Sequence, residues 1–299
     1  TALLHGEDFA STRMSDNVIT QNVQRQKTTL HVTCAYGQQH GAASTDDLHE
    51  DALKNAVERA QAIARASPAD EEYMPPVEAA EAKKYARVEA FCEQTARSTP
   101  EEKARALAAA AQKVQAAKMR LSGGLSSGAY FVALANSAGL RAYHAVTEAG
   151  FHATVLGSAG SGWAEQTANR MAEVDVAATA QKALETCRAA QNPKPFEPGR
   201  YDVILSPAAI GEMMQFAFWW TLDAKSADEG RSYLRGKLGA KVFGENIHIS
   251  SDPAEKTCPG SPFFGDGMAV PRMTWVENGV LKSLAYSRFW AKKQGKTPT

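Results

Sequence analysis

The chain has 299 residues, enough for two domains and a large apolar core, and its 44% hydrophobic and 22% charged residues are ordinary for a globular protein. Its 33 basic and 33 acidic residues cancel to a formal net charge of +0, without the basic excess of a nucleic-acid binder. No apolar run approaches the roughly 20 residues that span a bilayer, and the start, TALLHGEDFA, lacks the basic-then-apolar layout of a secretion signal.

In chain order, Leu30, Val32, Cys34 and Tyr36 alternate with His31, Thr33 and Ala35, the period of a strand with one buried face. A turn at Gly37-Gln38-Gln39 leads into His40–Ser44, so these two strands are expected to pair. Asp46 then opens a helix in which Leu53, Ala56, Val57, Ala60, Ile63 and Ala64 recur at helical spacing, ending before Ser67-Pro68. Residues 68–80, with three prolines, read as a surface connection. Thr99-Pro100-Glu101-Glu102 is a capping box opening an alanine-rich helix to about Met119.

Strands are expected at Tyr130–Ala135, Arg141–Thr147 and Phe151–Leu156, separated by glycine turns, and a further helix from about Asp175 to Ala190. The proline-rich segment Asn192–Gly199 disfavours helix and marks a boundary between residues 1–192 and 200–299. Beyond it come a buried strand, Tyr201–Leu205, and a helix, Pro207–Asp223, with Ser206 as N-cap and Pro207 at its first position. That helix is apolar on nearly every side and is expected to be buried all round. Asn278-Gly279 suits a type I′ turn between strands Met273–Glu277 and Val280–Tyr286. Strands and helices alternate without a βαβ period, which indicates an α+β fold of two domains, the first a mixed sheet with helices and the second β-rich.

The candidate chemistry is sparse. His49-Glu50 lacks a second histidine one turn on, since Leu53 and Lys54 stand there, and reads as a solvated first-turn pair. Hairpin pairing would bring His31 near His40, and His144 near His152, as two-histidine sites or as partly buried structural residues. Cys34, Cys92, Cys187 and Cys258 lie far apart with no C-x-x-C, the pattern of reduced thiols in the cytoplasm, and Cys258 reads as an ordinary loop cysteine. The glycine-rich stretches Ser122–Gly128 and Gly157–Gly162 lack a phosphate-loop lysine and read as hairpin loops. Arg231, Arg235, Lys237 and Lys241 are offset by Asp223, Asp228, Glu229 and Glu245, as in a solvated loop.

Short pieces spread over nearly the whole chain resemble the TldD/PmbA family, known as modulators of DNA gyrase and zinc peptidases. Thr12-Arg13 with Asn17-x-Ile19-Thr20-Gln21-Asn22 looks like the family's first hairpin, and Gly41-Ala42-Ala43-Ser44-Thr45 like a strand end. Ala135–Gly139, Gly162-Trp163, Asp228–Ser232, Gly236–Gly239 and Trp275–Lys282 follow in the family's order. Active members carry H-E-x-x-x-H in the helix equivalent to 207–223. Gln215, Phe216 and Trp220 stand at the motif's positions here, and with Trp219 they are candidates for a peptide cleft or for core and interface packing.

The resemblance therefore implies a PmbA-like chain without its own metal or cofactor, zinc being expected only in a TldD-like partner. It implies a homodimer, or a heterodimer with that partner, enclosing a cavity where unfolded peptides are cut, with no direct contact to nucleic acid or membrane. Two other roles fit the same residues: a peptide-binding or assembly protein without hydrolysis, and a metallopeptidase whose ligands come from a later segment. Family members usually continue past the position of Thr299 with more β structure, and Thr1 stands where Met would, so the resemblance also implies a trimmed chain.

Overall fold

The computed structural model describes residues 1–299 apart from the side chains of Ala217, Trp219 and Trp220. Two long strands, β1 (Ala2–Ser15) and β2 (Val18–Tyr36), form a hairpin whose turn, Asp16-Asn17, holds φ at 50° and 66°. Asx side chains tolerate that left-handed geometry. The Asn17 amide also donates to Met119 O (3.1 Å) and accepts from Leu121 N (2.8 Å), which pins the hairpin to β4. β3 (Gln39–Thr45) pairs with β2 as the alternation predicts.

The helix expected from Asp46 starts later, as α1 (Glu50–Ala66). The Asp47 carboxylate accepts the His49 N–H at 2.9 Å, and the Thr45 hydroxyl accepts the Asp47 N–H at 3.1 Å. These local bonds hold the intervening residues in turns. A loose connection follows, with a 3₁₀ turn at Ala79–Lys84 and a one-turn helix α2 (Glu93–Ala96). α3 (Pro100–Ala116) carries both capping-box bonds, Glu102 N to Thr99 Oγ1 at 3.2 Å and Thr99 N to Glu102 Oε2 at 2.9 Å.

The glycine-rich stretch 122–128 is not a loop. It lies inside β4 (Arg120–Ala135), paired with β1 on one side and with β5 (Arg141–Leu156) on the other. Likewise β5 runs unbroken through Gly150, so the two strands expected there are one. Two of these glycines sit where a side chain would collide: a Cβ on Gly128 would stand 2.6 Å from the Tyr130 ring of the same strand, and one on Gly123 2.1 Å from His152 O of β5. The Gly157–Gly160 turn is the expected hairpin loop into β6 (Ser161–Ala168). The six strands run β3-β2-β1-β4-β5-β6, and every pairing is antiparallel.

α4 (Val176–Ala189), capped by Asp175, packs with α3 on one face of this sheet around Leu107, Leu121, Phe151, Val155 and Leu184. α1 covers the same face further along, over Val32 and Ala43. The rest of the chain is a smaller layer with its own core of Leu222, Leu234, Val276, Leu281 and Trp290. It comprises α5 (Pro207–Thr221), α6 (Ala224–Asp228), a sheet of β7 (Ile249–Ser251), β8 (Met273–Glu277) and β9 (Val280–Leu281), and α7 (Arg288–Gln294). The β8–β9 turn has positive φ at Asn278 (49°) and Gly279 (75°), as the sequence indicates. β9 stops at Leu281 rather than Tyr286, because Ala285 leaves the hairpin to bridge Asp223. The architecture is α+β.

Candidate functional site

The helix that the resemblance places at the metal-motif position is α5. Its start follows the sequence: Ser206 Oγ accepts the Ala209 N–H at 3.3 Å, and Pro207 occupies the first turn, where its missing N–H costs nothing. Its end is anchored by Phe218 and Leu222, which pack on the second core. Between these points the outer face is bare. Ile210, Met213 and Phe216, spaced three apart, are all exposed, with Phe216 68% accessible, and Gln215 beside them is exposed too. The expectation of a helix buried all round is therefore corrected: no described residue covers this stripe. Trp219 and Trp220 lie outside the described residues.

The segment before α5 needs the same correction. Tyr201–Leu205 forms no strand, and Tyr201, Val203, Ile204 and Leu205 are exposed, Ile204 completely. Apolar alternation marks a strand only where a neighbouring strand accepts its backbone bonds, and no described residue does so.

The donors of α5 do not fit zinc. Zinc takes His nitrogen, Cys sulfur or carboxylate oxygen, and the helix offers one such group, the exposed Glu212 carboxylate. Gln215 presents a neutral amide, and phenylalanine or tryptophan presents no donor at all. Among the described residues, no three His, Cys, Asp or Glu side chains converge as metal ligands.

The histidines are placed differently from the hairpin expectation. His31 meets His5, with ring centroids 5.8 Å apart, rather than His40. His40 instead pairs with Asp70 at 2.9 Å and stacks on Tyr73, and Asp70 is held below the usual carboxylate range chiefly by that bond. His144 and His152 sit eight positions apart on the single strand β5 and face Val132 and Gly124 across β4. His49 pairs with the solvated Asp47 at 2.6 Å, and Cys258 is an exposed loop thiol. In the basic cluster, Arg231 pairs with Glu229 at 2.6 Å and Lys241 with Glu245 at 2.5 Å.

One buried titratable group escaped the sequence reading. Lys103 is 1% exposed; its Nζ donates to Ser98 O and Ser98 Oγ, both at 3.1 Å, and the Ser98 hydroxyl donates on to Ser127 Oγ at 2.7 Å. Its spacing with Leu107, Ala110 and Val114 was the available signal, a lysine inside an apolar helical stripe. His144, expected either in a histidine pair or as a partly buried structural residue, is buried at 8% exposed, on a strand where it alternates with Ala142 and Val146.

A long antiparallel sheet with helices on one face and a smaller α+β layer carrying an apolar capped helix defines the class. Comparison with known proteins agrees in each part. Models of the PmbA/TldA metallopeptidase match as domain 1 over residues 3–64, the central domain over 93–190 and the C-terminal domain over 198–299. The chain belongs to this PmbA/TldD family.

An uncharacterized protein of Methanocaldococcus jannaschii is 29% identical over 60% of this chain and 42% of its own length. A metalloprotease of Methanothermobacter thermautotrophicus is 32% identical over 40% of this chain and 26% of its own length. The matches thus span less than half of these curated relatives. Among solved structures, TldE from Thermococcus kodakarensis superposes with a TM-score of 0.84 at 18% identity, over 100% of this chain and 69% of that one. A candidate modulator of DNA gyrase from Thermotoga maritima does so with a TM-score of 0.90 at 18% identity, over the same shares. At these identities the likeness is one of fold.

Proposed function

We propose that this chain is a metal-free, PmbA-like subunit that supports proteolysis of unfolded peptides in the cytoplasm, the zinc chemistry residing in a TldD-like partner. The carrying observation is that α5 offers zinc no ligand set, its one suitable donor being Glu212, while the resemblance aligns Gln215, Phe216 and Trp220 with the metal motif of active members. The bare stripe of Ile210, Met213 and Phe216 supports the reading, since apolar aromatic surface is the material of a subunit or peptide contact. The metalloprotease name of two relatives supports a setting in peptide hydrolysis. In this scheme α5 lines the inner face of a homo- or heterodimer, and Gln215 offers a hydrogen bond to bound peptide.

The test measures bound zinc by atomic absorption and cleavage of an unfolded peptide, for this chain alone and mixed with a TldD-like partner. The chain alone is expected to hold less than stoichiometric zinc and to cut nothing, while the mixture cuts. Stoichiometric zinc with cleavage by the isolated chain overturns the proposal. Cleavage that the partner performs equally well without this chain overturns the supporting role.

A further inference from the structure

A second cavity lies on the sheet face opposite the helices. His5 of β1, Val132 of β4 and His144 of β5 are direct partners across adjacent strands, so their side chains leave one face together. The loop Pro259–Gly265 roofs them and leaves a cavity of about 380 Å³ between loop and sheet, within the range of roughly 300–1,000 Å³ typical of small-ligand sites. The roof is built rather than draped. Phe263 is buried against Tyr85 with ring centroids 5.2 Å apart, and Phe264 N donates to Met268 O at 2.8 Å.

The chemistry of this lining is specific. His144 is more than nine-tenths buried, lines the cavity, and has no hydrogen-bond partner among the described residues. Burial holds its imidazole below the ordinary range, so near neutral pH the ring is uncharged, with one N–H donor and one bare nitrogen. His5 is shifted the same way, first by burial and then by the neighbouring His31. The other walls include Val132, Val146, Pro259 and Phe264 with the hydroxyl-bearing Tyr130 and Ser261, and no Lys, Arg, Asp or Glu lines the space. An anion would meet no cation there and a cation no carboxylate, so either would give up hydration without gaining a counter-charge. A wholly apolar guest would cover the imidazole and leave it unpaired, which is itself costly.

We propose that this cavity binds a neutral aromatic ring carrying one polar hydrogen, a phenol or an indole, with that hydrogen donated to the His144 imidazole. The ring belongs either to a free small molecule or to a tyrosine or tryptophan side chain of a peptide. The inference stands independently of the peptidase-support reading, because it uses neither α5 nor a partner.

The experiment titrates the 299-residue chain, labelled with ¹⁵N-histidine, with phenol, indole, benzene, N-acetyltyrosinamide and N-acetyltryptophanamide near pH 7.5. Phenol or indole is expected to shift the His144 ring-nitrogen signals saturably. Benzene, without a polar hydrogen, should bind about tenfold more weakly than phenol, the loss expected for one unmade buried hydrogen bond. His144→Phe, which keeps a ring and removes both polar atoms, should weaken phenol binding by about tenfold through the same bond. If that variant does not fold, the phenol–benzene comparison on the unaltered chain decides alone. Tighter binding of the amides than of the free rings assigns the guest to a peptide, the reverse order to a small molecule, and both orders support the ring chemistry. Absence of saturable binding by all four polar-hydrogen rings, or saturable binding that leaves the His144 signals unmoved, overturns it.

Discussion

Lys103 shows what one buried charge does to this fold. Its ammonium is surrounded by α3 and the sheet, with Ser98 O and Ser98 Oγ as its acceptors among the described residues, and burial lowers its pKa below that of a free lysine. A base with a depressed folded-state pKa contributes stability that is present above its unfolded value of 10.5 and lost as pH falls through the folded value. At pH 7 the protonated group is therefore a cost, relieved as pH rises towards 10.5. Lys103→Met removes the charge and nearly preserves the volume, so it should be neutral or stabilising at pH 7 by about 1 kcal/mol. Its advantage should shrink as pH rises from 7 towards 10.5. Urea unfolding of both proteins across that range checks this, and a pH-independent difference rules the account out.

At the scale of elements, two glycines that mark the family resemblance turn out to be places where a helix touches the sheet. A Cβ on Gly41 would stand 2.4 Å from Ala64 N of α1, and one on Gly162 would stand 2.1 Å from Ala183 O of α4. Both obstacles are backbone, so Gly162→Ala must push α4 off the sheet and should cost about 1–3 kcal/mol, as overpacking does. Gly211, in the exposed part of α5, has nothing within 4 Å, and Gly211→Ala should stabilise by about 0.5–1 kcal/mol through helix propensity alone. Thermal unfolding of the two variants should therefore move in opposite directions; equal shifts would remove close approach as the reason for Gly162. The same element scale explains why α5 misled. Apolar residues on every side indicate a buried helix, yet Ile210, Met213 and Phe216 face no described residue.

At the scale of the whole molecule, the connection after α1 works as a strap between the large sheet and the smaller layer. Tyr85 Oη donates to Gly267 O at 2.6 Å, Arg288 Nη2 donates to Pro75 O at 2.7 Å, and Lys225 pairs with Glu72 at 2.5 Å. Tyr85 also packs with Val77, Leu134 and Phe263 in a small shared core. The ion pair is exposed and worth little by itself; the half-buried tyrosine and the arginine-to-carbonyl bond hold the strap. Tyr85→Phe combined with Arg288→Ala should weaken the coupling by about 2 kcal/mol, taking about 1 kcal/mol for each lost bond. Calorimetry should then resolve two unfolding transitions where the unaltered chain shows fewer. A single transition merely displaced in temperature would show that the strap does not couple the layers.

Local chemistry was sufficient for the parts of this protein whose causes lie within a few residues. The capping box of α3, the Ser206 and Asp175 caps, the Asn278-Gly279 turn and the missing zinc ligands of α5 all follow from residue type and spacing. What needed the tertiary structure were features caused by distant neighbours. Pairing with β1 and β5 keeps the 122–128 glycines inside β4, Ala285 drew the end of β9 across to Asp223, and strand register put His144 opposite Val132 rather than beside His152. Burial and pairing are properties of two surfaces at once, and an alternation in one segment specifies only its own half of the contact.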